Sequence, residues 1–283
     1  MRLSIHHTTS YDYDREVVFH PHILYLRPRE NPLLDIKSFE LELTPSAQLR
    51  WMRDDFDNLP ATATFTEPGS RLEVVARCQV DIPDSSPFDF EVRDYALDFP
   101  FVYEPLHRSN LSLYLTPPKE ATQEELRAWL KQTVPIAPTD TVGWLFILAG
   151  ALQRGLRYQV RHEEGIQSAA QTLTLQAGSC RDFAALFVAC ARTYGVAARF
   201  VSGYMFDPQQ GSAPGHMHAW VEVFLPGAGW RGLDPTHGIF CDNRYVPVAH
   251  AVVAESVNPI QGSFFSTTPA QVQLKTTVQL RQA

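Results

Sequence analysis

Cys180 stands where Gly178-Ser179 hands over to an apolar run with helical spacing: Phe183, Ala184, Leu186, Phe187, Ala189 and Cys190. The Gly-Ser pair favours a turn and the run favours a helix, so the cysteine is expected in a first helical turn. There the unpaired N–H groups and the positive end of the helix dipole stabilise a thiolate, the nucleophilic form of cysteine. His218 follows within His218-Ala219-Trp220-Val221-Glu222-Val223-Phe224, and Asp234 within Gly229-Trp230-Arg231-Gly232-Leu233-Asp234-Pro235-Thr236. Acyl transfer at an amide needs a nucleophile, a base that holds its proton and returns it to the leaving amine, and a group that orients the base. Cys180, His218 and Asp234 are the parts of such a triad, in that order.

For these side chains to meet, the Cys180 helix must pack across a hairpin. Helical text from Cys180 should stop at Gly195, after which residues 197–205, 218–225 and 229–233 read as strands. The stretch from His218 through Gly227 to Trp230 has hairpin spacing, which brings His218 and Asp234 onto neighbouring strands. Upstream, Thr122-Gln123-Glu124-Glu125 forms a capping-box pattern for a helix through Leu130, and Thr139 or Asp140 is placed to cap another to about Arg154. Helices, then the cysteine helix, then strands describe an α+β core over residues 116–283. Residues 1–115 read differently. Short alternating runs such as 39–43, 61–65 and 72–80 predict half-buried antiparallel strands in a β-sandwich-like domain, with a turn at Asp54-Asp55-Phe56-Asp57-Asn58.

Bulk properties narrow the function classes. The 283 residues are 45% hydrophobic and 19% charged, values of a globular chain rather than a disordered one. A net charge of −7 and the lack of a lysine or arginine run argue against nucleic acid as a partner. No apolar stretch reaches the length of a membrane span, and the first residues carry no signal-like apolar region, so a cytoplasmic location is expected. Cys78, Cys180, Cys190 and Cys241 are too few and scattered for a disulfide scaffold, and no C-x-x-C pair suggests zinc. No acidic cluster suggests calcium, and no cofactor is expected.

The local contexts are more specific than the spacing. Gly-x-Cys-Arg-Asp-Phe-Ala, Arg199-Phe200-Val201-Ser202-Gly203-Tyr204, His-Ala-Trp-Val-Glu-Val-Phe and Gly-Trp-x-x-Leu-Asp-Pro-Thr resemble, in order and spacing, the core of the transglutaminase-like superfamily of cysteine enzymes. His7-Thr8-Thr9-Ser10-Tyr11-Asp12-Tyr13 through Leu26-Arg27-Pro28-Arg29 is similar to the β domain preceding that core in a bacterial branch. The resemblance implies a papain-like α+β core with Cys180 as nucleophile, His218 as general base and Asp234 as its orienting partner. Two positions depart from the branch: Asp57, where glycine is usual, and Arg181, where glutamine is common.

The implied activity is hydrolysis or transfer at peptide or protein amides through a thioester. Glutamine–lysine crosslinking and a non-catalytic scaffold are the alternatives, and the N-terminal β domain offers a surface for a protein partner. Three further residues are candidates for substrate contact: Trp220, which alternates with the triad on its strand, Tyr204 after Gly203, and His216 in the loop before His218. Asp182 is assigned to capping the cysteine helix. Cys78 and Cys190 are assigned to packing, and Cys241 to an incidental loop thiol. His216 and His218 form an H-x-H that, with His237 or Cys180, has metal-ligand spacing, but the triad accounts for His218 without a metal.

Overall fold

The computed structural model describes residues 1–117, 123–133, 140–161, 163–208 and 217–282. The alternating text near the N-terminus forms β1 (Arg2–Phe19), β2 (His22–Leu24), β3 (Asp35–Thr44), β4 (Ala47–Trp51), β5 (Ala61–Phe65) and β6 (Gly69–Asp81). β6 pairs antiparallel with both β1 and β3, while β5 pairs with β2 and β4 in a second sheet. Inward-facing Val17, Phe19, Leu24, Leu26, Ala63, Leu72 and Val74 form the core between them. This is the sandwich that period-2 alternation predicts, since each strand has one face to bury.

Helices α1 (Pro105–Asn110), α2 (Ser112–Leu115), α3 (Gln123–Thr133) and α4 (Thr141–Gly155) follow. The Asp140 carboxylate caps α4 by accepting from the Gly143 N–H. Thr122 and Thr139, the other capping candidates, lie outside the described residues. A two-residue β7 (Arg157–Tyr158), α5 (Ala169–Leu175) and β8 (Ala177–Gly178) lead into α6 (Cys180–Thr193). Helix α6 ends at the expected place, where Gly195 takes a positive φ of 78° that an L side chain rarely adopts.

A second five-stranded sheet contains β9 (Ala198–Met205), β10 (His218–Leu225), β11 (Gly229–Asp234), β12 (Ile239–Phe240) and β13 (Tyr245–Ala251), in the order β12-β11-β10-β9-β13. Ala219, Val221, Val223 and Leu225 of β10 share one core with Phe183, Leu186, Phe187 and Cys190 of α6. Trp220 belongs to a separate cluster with Val201 and Tyr245 on the other face. The expected packing of the cysteine helix across the hairpin is therefore present.

The chain end departs from the sequence division. β14 (Ile260–Gln261), β15 (Phe264–Phe265) and β16 (Val272–Gln282) were assigned with residues 116–283 to the core, but β16 pairs with β1 from Leu3↔Gln282 to Tyr13↔Val272. β15 pairs with the end of β1, and β14 with β2. α1 and α2, inside the stretch 1–115, are helical, and the neighbouring Phe101, Tyr103 and Leu111 enter the core of α4 and α6. Alternation identifies a strand but not its partner, and β1 would otherwise expose an unpaired edge. No helix among the described residues is long and apolar enough to cross a membrane.

Candidate active site

Cys180 is the first residue of α6 because the preceding turn is tightly bonded. β7 and β8 pair in parallel (Arg157↔Ala177, Tyr158↔Gly178), and Ser179 leaves β8 in an extended conformation. The fully buried Asp182 carboxylate holds this turn. Oδ2 accepts from Ser179 N (2.7 Å) and Ser179 Oγ (2.8 Å), while Oδ1 accepts from Gln167 N (2.8 Å) and Arg161 Nη1 (2.7 Å). A Cβ on Gly178 would lie 2.8 Å from Asp182 Cβ, so the glycine is needed for close approach. Asp182 thus has the capping role assigned from sequence, and Arg161 neutralises a carboxylate that would otherwise oppose a nearby thiolate. Cys180 is nearly buried, at 9% exposed.

The pairing Val221↔Leu233 sets Asp234 one residue further on, diagonal to His218 on the same strand face. His218 Nε2 donates to Asp234 Oδ2 at 2.6 Å, which leaves Nδ1 without that partner, and Cys180 is close enough to the ring to act on its charge. Burial opposes charge on His218, but the bond and charge of Asp234, reinforced by Cys180, outweigh it and push the imidazole up to about 10. Burial likewise opposes ionisation of Asp234, and the hydrogen bonds and charges of His218 and His237 hold its carboxyl well below the usual range.

Asp234 is completely buried and carries further bonds. Oδ2 also accepts from His237 Nδ1 (2.6 Å) and the Tyr245 hydroxyl (2.8 Å), and Oδ1 from the backbone N–H groups of Thr236 (2.8 Å) and His237 (3.4 Å). His237 was read from sequence only as a third metal donor, and Tyr245 was not read at all. The signal for His237 is its position three residues after Asp234, in a turn closed by Gly238 N to Asp234 O. The donor atoms of His218, Asp234 and His237 lie within 4.8 Å of one another. They could converge on a cation only by giving up the hydrogen bonds they make to each other.

The three substrate-contact expectations fare differently. Tyr204 is 1% exposed, and its hydroxyl is hydrogen-bonded to His7 Nδ1 (3.0 Å) of β1. It therefore joins the catalytic sheet to the N-terminal one and is too deep to touch substrate, because strand alternation turns it away from the face of Gly203. Trp220 is also buried. It stacks on His218 with ring centroids 6.2 Å apart and meets Tyr245 edge-on at 5.3 Å, so it supports the histidine from behind. Gly203 makes room for it: a Cβ there would sit 2.5 Å from the indole. His216 lies outside the described residues. Glu222, on the same face, is used by Arg199 directly opposite, with contacts of 2.6 and 2.7 Å. Tyr158, half exposed, stands near the cleft, where burial and the charges of Cys180 and Asp234 push its hydroxyl up to about 12. Only its pairing with β8 brings it there, a long-range contact without a sequence signal.

Residues 3–81 match the family model described as the bacterial transglutaminase-like N-terminal region, and residues 119–235 match that of the transglutaminase-like superfamily. Cys180, His218 and Asp234 all fall within the second match. Uncharacterized proteins of Mycobacterium tuberculosis and Mycobacterium bovis are each 26% identical over 285 residues, covering 96% of this chain and 90% of theirs. A crystal structure from Cytophaga hutchinsonii, provisionally described as a cysteine protease, superposes with a TM-score of 0.72 at 19% identity, covering 99% of this chain and 98% of that one. That likeness shows a shared fold over the whole length. With both family regions matched in order, the chain belongs to the transglutaminase-like superfamily, in its bacterial form with an N-terminal region.

Proposed function

We propose that this protein is a cysteine-dependent acyl-transfer enzyme that hydrolyses peptide or protein amides. The observation that carries the reading is His218, bonded at 2.6 Å to a buried, multiply bonded Asp234 and close enough to Cys180 to be influenced by it, with its imidazole pushed up to about 10. A positive ring beside the sulfur at a helix N-terminus favours the thiolate. The sulfur attacks the carboxamide carbon, forming the S–C bond and placing charge on the carbonyl oxygen, to which the Cys180 backbone N–H is a donor. Collapse breaks the C–N bond as His218 protonates the departing amine, leaving a thioester and a neutral imidazole. His218 then takes a proton from water as that water attacks the thioester, and the released carboxylic acid leaves the thiolate–imidazolium pair restored. Asp234 stays ionised throughout and orients the ring.

A His218–Asp234 pair beside Cys180 weighs against a purely scaffolding role. The hydrolytic reading agrees with the provisional description of the Cytophaga hutchinsonii protein. All four cysteines are free thiols, which suits the reducing, cytoplasmic compartment that the reading assumes. The test is incubation of wild type and Cys180→Ala with glutamine-containing peptides, with and without a primary-amine probe. Ammonia release, amine incorporation and the acid-quenched protein mass are read together. Turnover and an acyl adduct on wild type, both lost in Cys180→Ala, are expected; turnover retained by the variant overturns the proposal. Amine incorporation exceeding hydrolysis would move the assignment to transamidation.

A further inference from the structure

A cavity of about 500 Å³ lies on the face of the catalytic sheet that carries Trp220, opposite the face packed against α6. One wall is the segment Arg29–Leu34, the continuation of the Leu26-Arg27-Pro28-Arg29 text; the other is made of β10, β11 and the start of β13. Trp220, Trp230, Phe240 and Tyr245 give it an aromatic lining. Two of these touch the triad from behind: Trp220 stacks on His218, and the Tyr245 hydroxyl donates to Asp234.

The lining holds three arginines (Arg29, Arg199, Arg231) and three carboxylates (Glu30, Glu222, Asp242), but the pairing is uneven, because two of the carboxylates are taken by arginines from outside it. Its carboxylates are already used: Glu222 by Arg199 (2.6 Å), Asp242 by Arg244 (2.8 Å), and Glu30 by Arg27 (3.7 Å). Arg199 also lies over the Trp230 ring at 4.0 Å, so both its charge and its face are occupied. Arg29 and Arg231 remain. Neither makes an ion pair among the described residues, and the Nε of each is buried with no hydrogen-bond partner. Arg231 lies over Phe90 at 4.8 Å. The Arg29 guanidinium is close enough to Glu222 and Arg199 for both charges to act on it, which places it with the cavity's polar wall. His250 is pushed to the neutral form, first by burial and then by the charges of Arg199 and Arg29, so it adds no further positive charge. Glu222, Asp57 and Asp54 favour the Arg29 charge from a distance, but a partly buried guanidinium with no direct ion pair is stabilised further when an anion completes it.

We propose that this cavity binds a monocarboxylate with an apolar or aromatic body, its carboxylate on Arg29 and its body against the partly exposed Trp230. A single carboxylate fits better than a phosphate because Glu222 and Asp242 stand in the same wall and would repel a dianion. A guanidinium offers a planar fork matched to a carboxylate, and aromatic walls favour an apolar side chain. A peptide C-terminus and a free acid share this chemistry. Binding does not depend on Cys180, so this inference stands or falls apart from the proposed reaction.

The probe is N-acetyl-L-phenylalanine, set against its uncharged amide and against the tripeptide Gly-Gly-Phe with a free carboxylate. Each is titrated into the full chain, with tryptophan fluorescence and calorimetry as readouts, using wild type, Cys180→Ala, Arg29→Gln and Arg231→Gln. The acid is expected to bind saturably and the amide about tenfold or more weaker, the scale of a lost charge-assisted hydrogen-bond pair. Arg29→Gln should reduce acid affinity to that of the amide, while Cys180→Ala binds like wild type. Tighter binding of the tripeptide than of the small acid would identify a peptide end as the source; the reverse order would identify a free acid. Equal binding of acid and amide by wild type overturns the proposal, as does no saturable binding at millimolar acid. Unchanged acid affinity in a folded Arg29→Gln also overturns it. Should Arg29→Gln fail to fold, the acid–amide comparison on wild type and on Arg231→Gln decides the matter.

Discussion

Asp234 is the residue on which the site turns, because a fully buried carboxylate persists as an anion only while its oxygens are bonded. His218, His237 and Tyr245 share Oδ2, and two backbone N–H groups hold Oδ1. Tyr245→Phe removes one donor and adds none. A hydrogen bond to a charged group contributes about 1.5–3 kcal/mol, so the variant should be destabilised on that order in urea unfolding. An unchanged midpoint would show that the hydroxyl contributes little. The same pair fixes a pH dependence. His218 is raised from 6.5 to about 10, so its contribution to stability is complete below 6.5 and is lost as pH rises through about 10. Asp234 is depressed, so its contribution is complete above its ordinary value of 3.8 and is lost only as pH falls through the lower folded value. Thermal stability from this pair should thus be greatest between about pH 4 and 6.5, and His218→Gln should flatten the alkaline decline. A variant that declines as steeply as wild type would contradict the assignment.

Elements with local signals were legible in the sequence. The Asp140 cap, the Cys180 helix ending before Gly195, and the strands at His218 and Gly229 form where their residue types predict. So does the 54–58 turn, in which Asp54 Oδ1 accepts from the N–H groups of Phe56 and Asn58. Elements whose only cause is long-range pairing were not legible: β7 with β8, β16 with β1, and the burial of Tyr204 against His7. The start of a helix at Cys180 and the nearness of His218 to Asp234 were readable because their contexts are local. His237 and Tyr245 were missed because a supporting donor has no spacing of its own. Asp57 links the two cases. Where the branch usually has glycine, its φ is 63°, a left-handed backbone that costs an L residue energy. Its ion pair among the described residues is the exposed one with Arg53, worth little. Asp57→Gly should therefore raise stability by about 0.5–1 kcal/mol, measured as an upward shift of the denaturation midpoint. A downward shift would mean that the aspartate holds the turn in a way its backbone conformation does not reveal. The turn matters because Asn58 reaches across it to bond both backbone groups of His250 on β13.

At the scale of the whole molecule, the first strand is paired with the last, and the N-terminal sheets grip the catalytic sheet through His7–Tyr204 and Asn58–His250. The fold thereby holds a helix N-terminus and a strand hairpin in fixed relation, and that relation brings Cys180, His218 and Asp234 together from separate elements. In the proposed mechanism this relation makes Cys180 a reactive nucleophile. The measurement that tests it most directly is intact mass after timed exposure to a thiol-directed electrophile across a pH series, for wild type, His218→Ala and Cys180→Ala. The account predicts fast single labelling already near pH 6, abolished in Cys180→Ala and shifted in His218→Ala toward the pH range of an ordinary thiol, about 8.5. Slow labelling of wild type that rises only in that range and is unaffected by His218→Ala would contradict it.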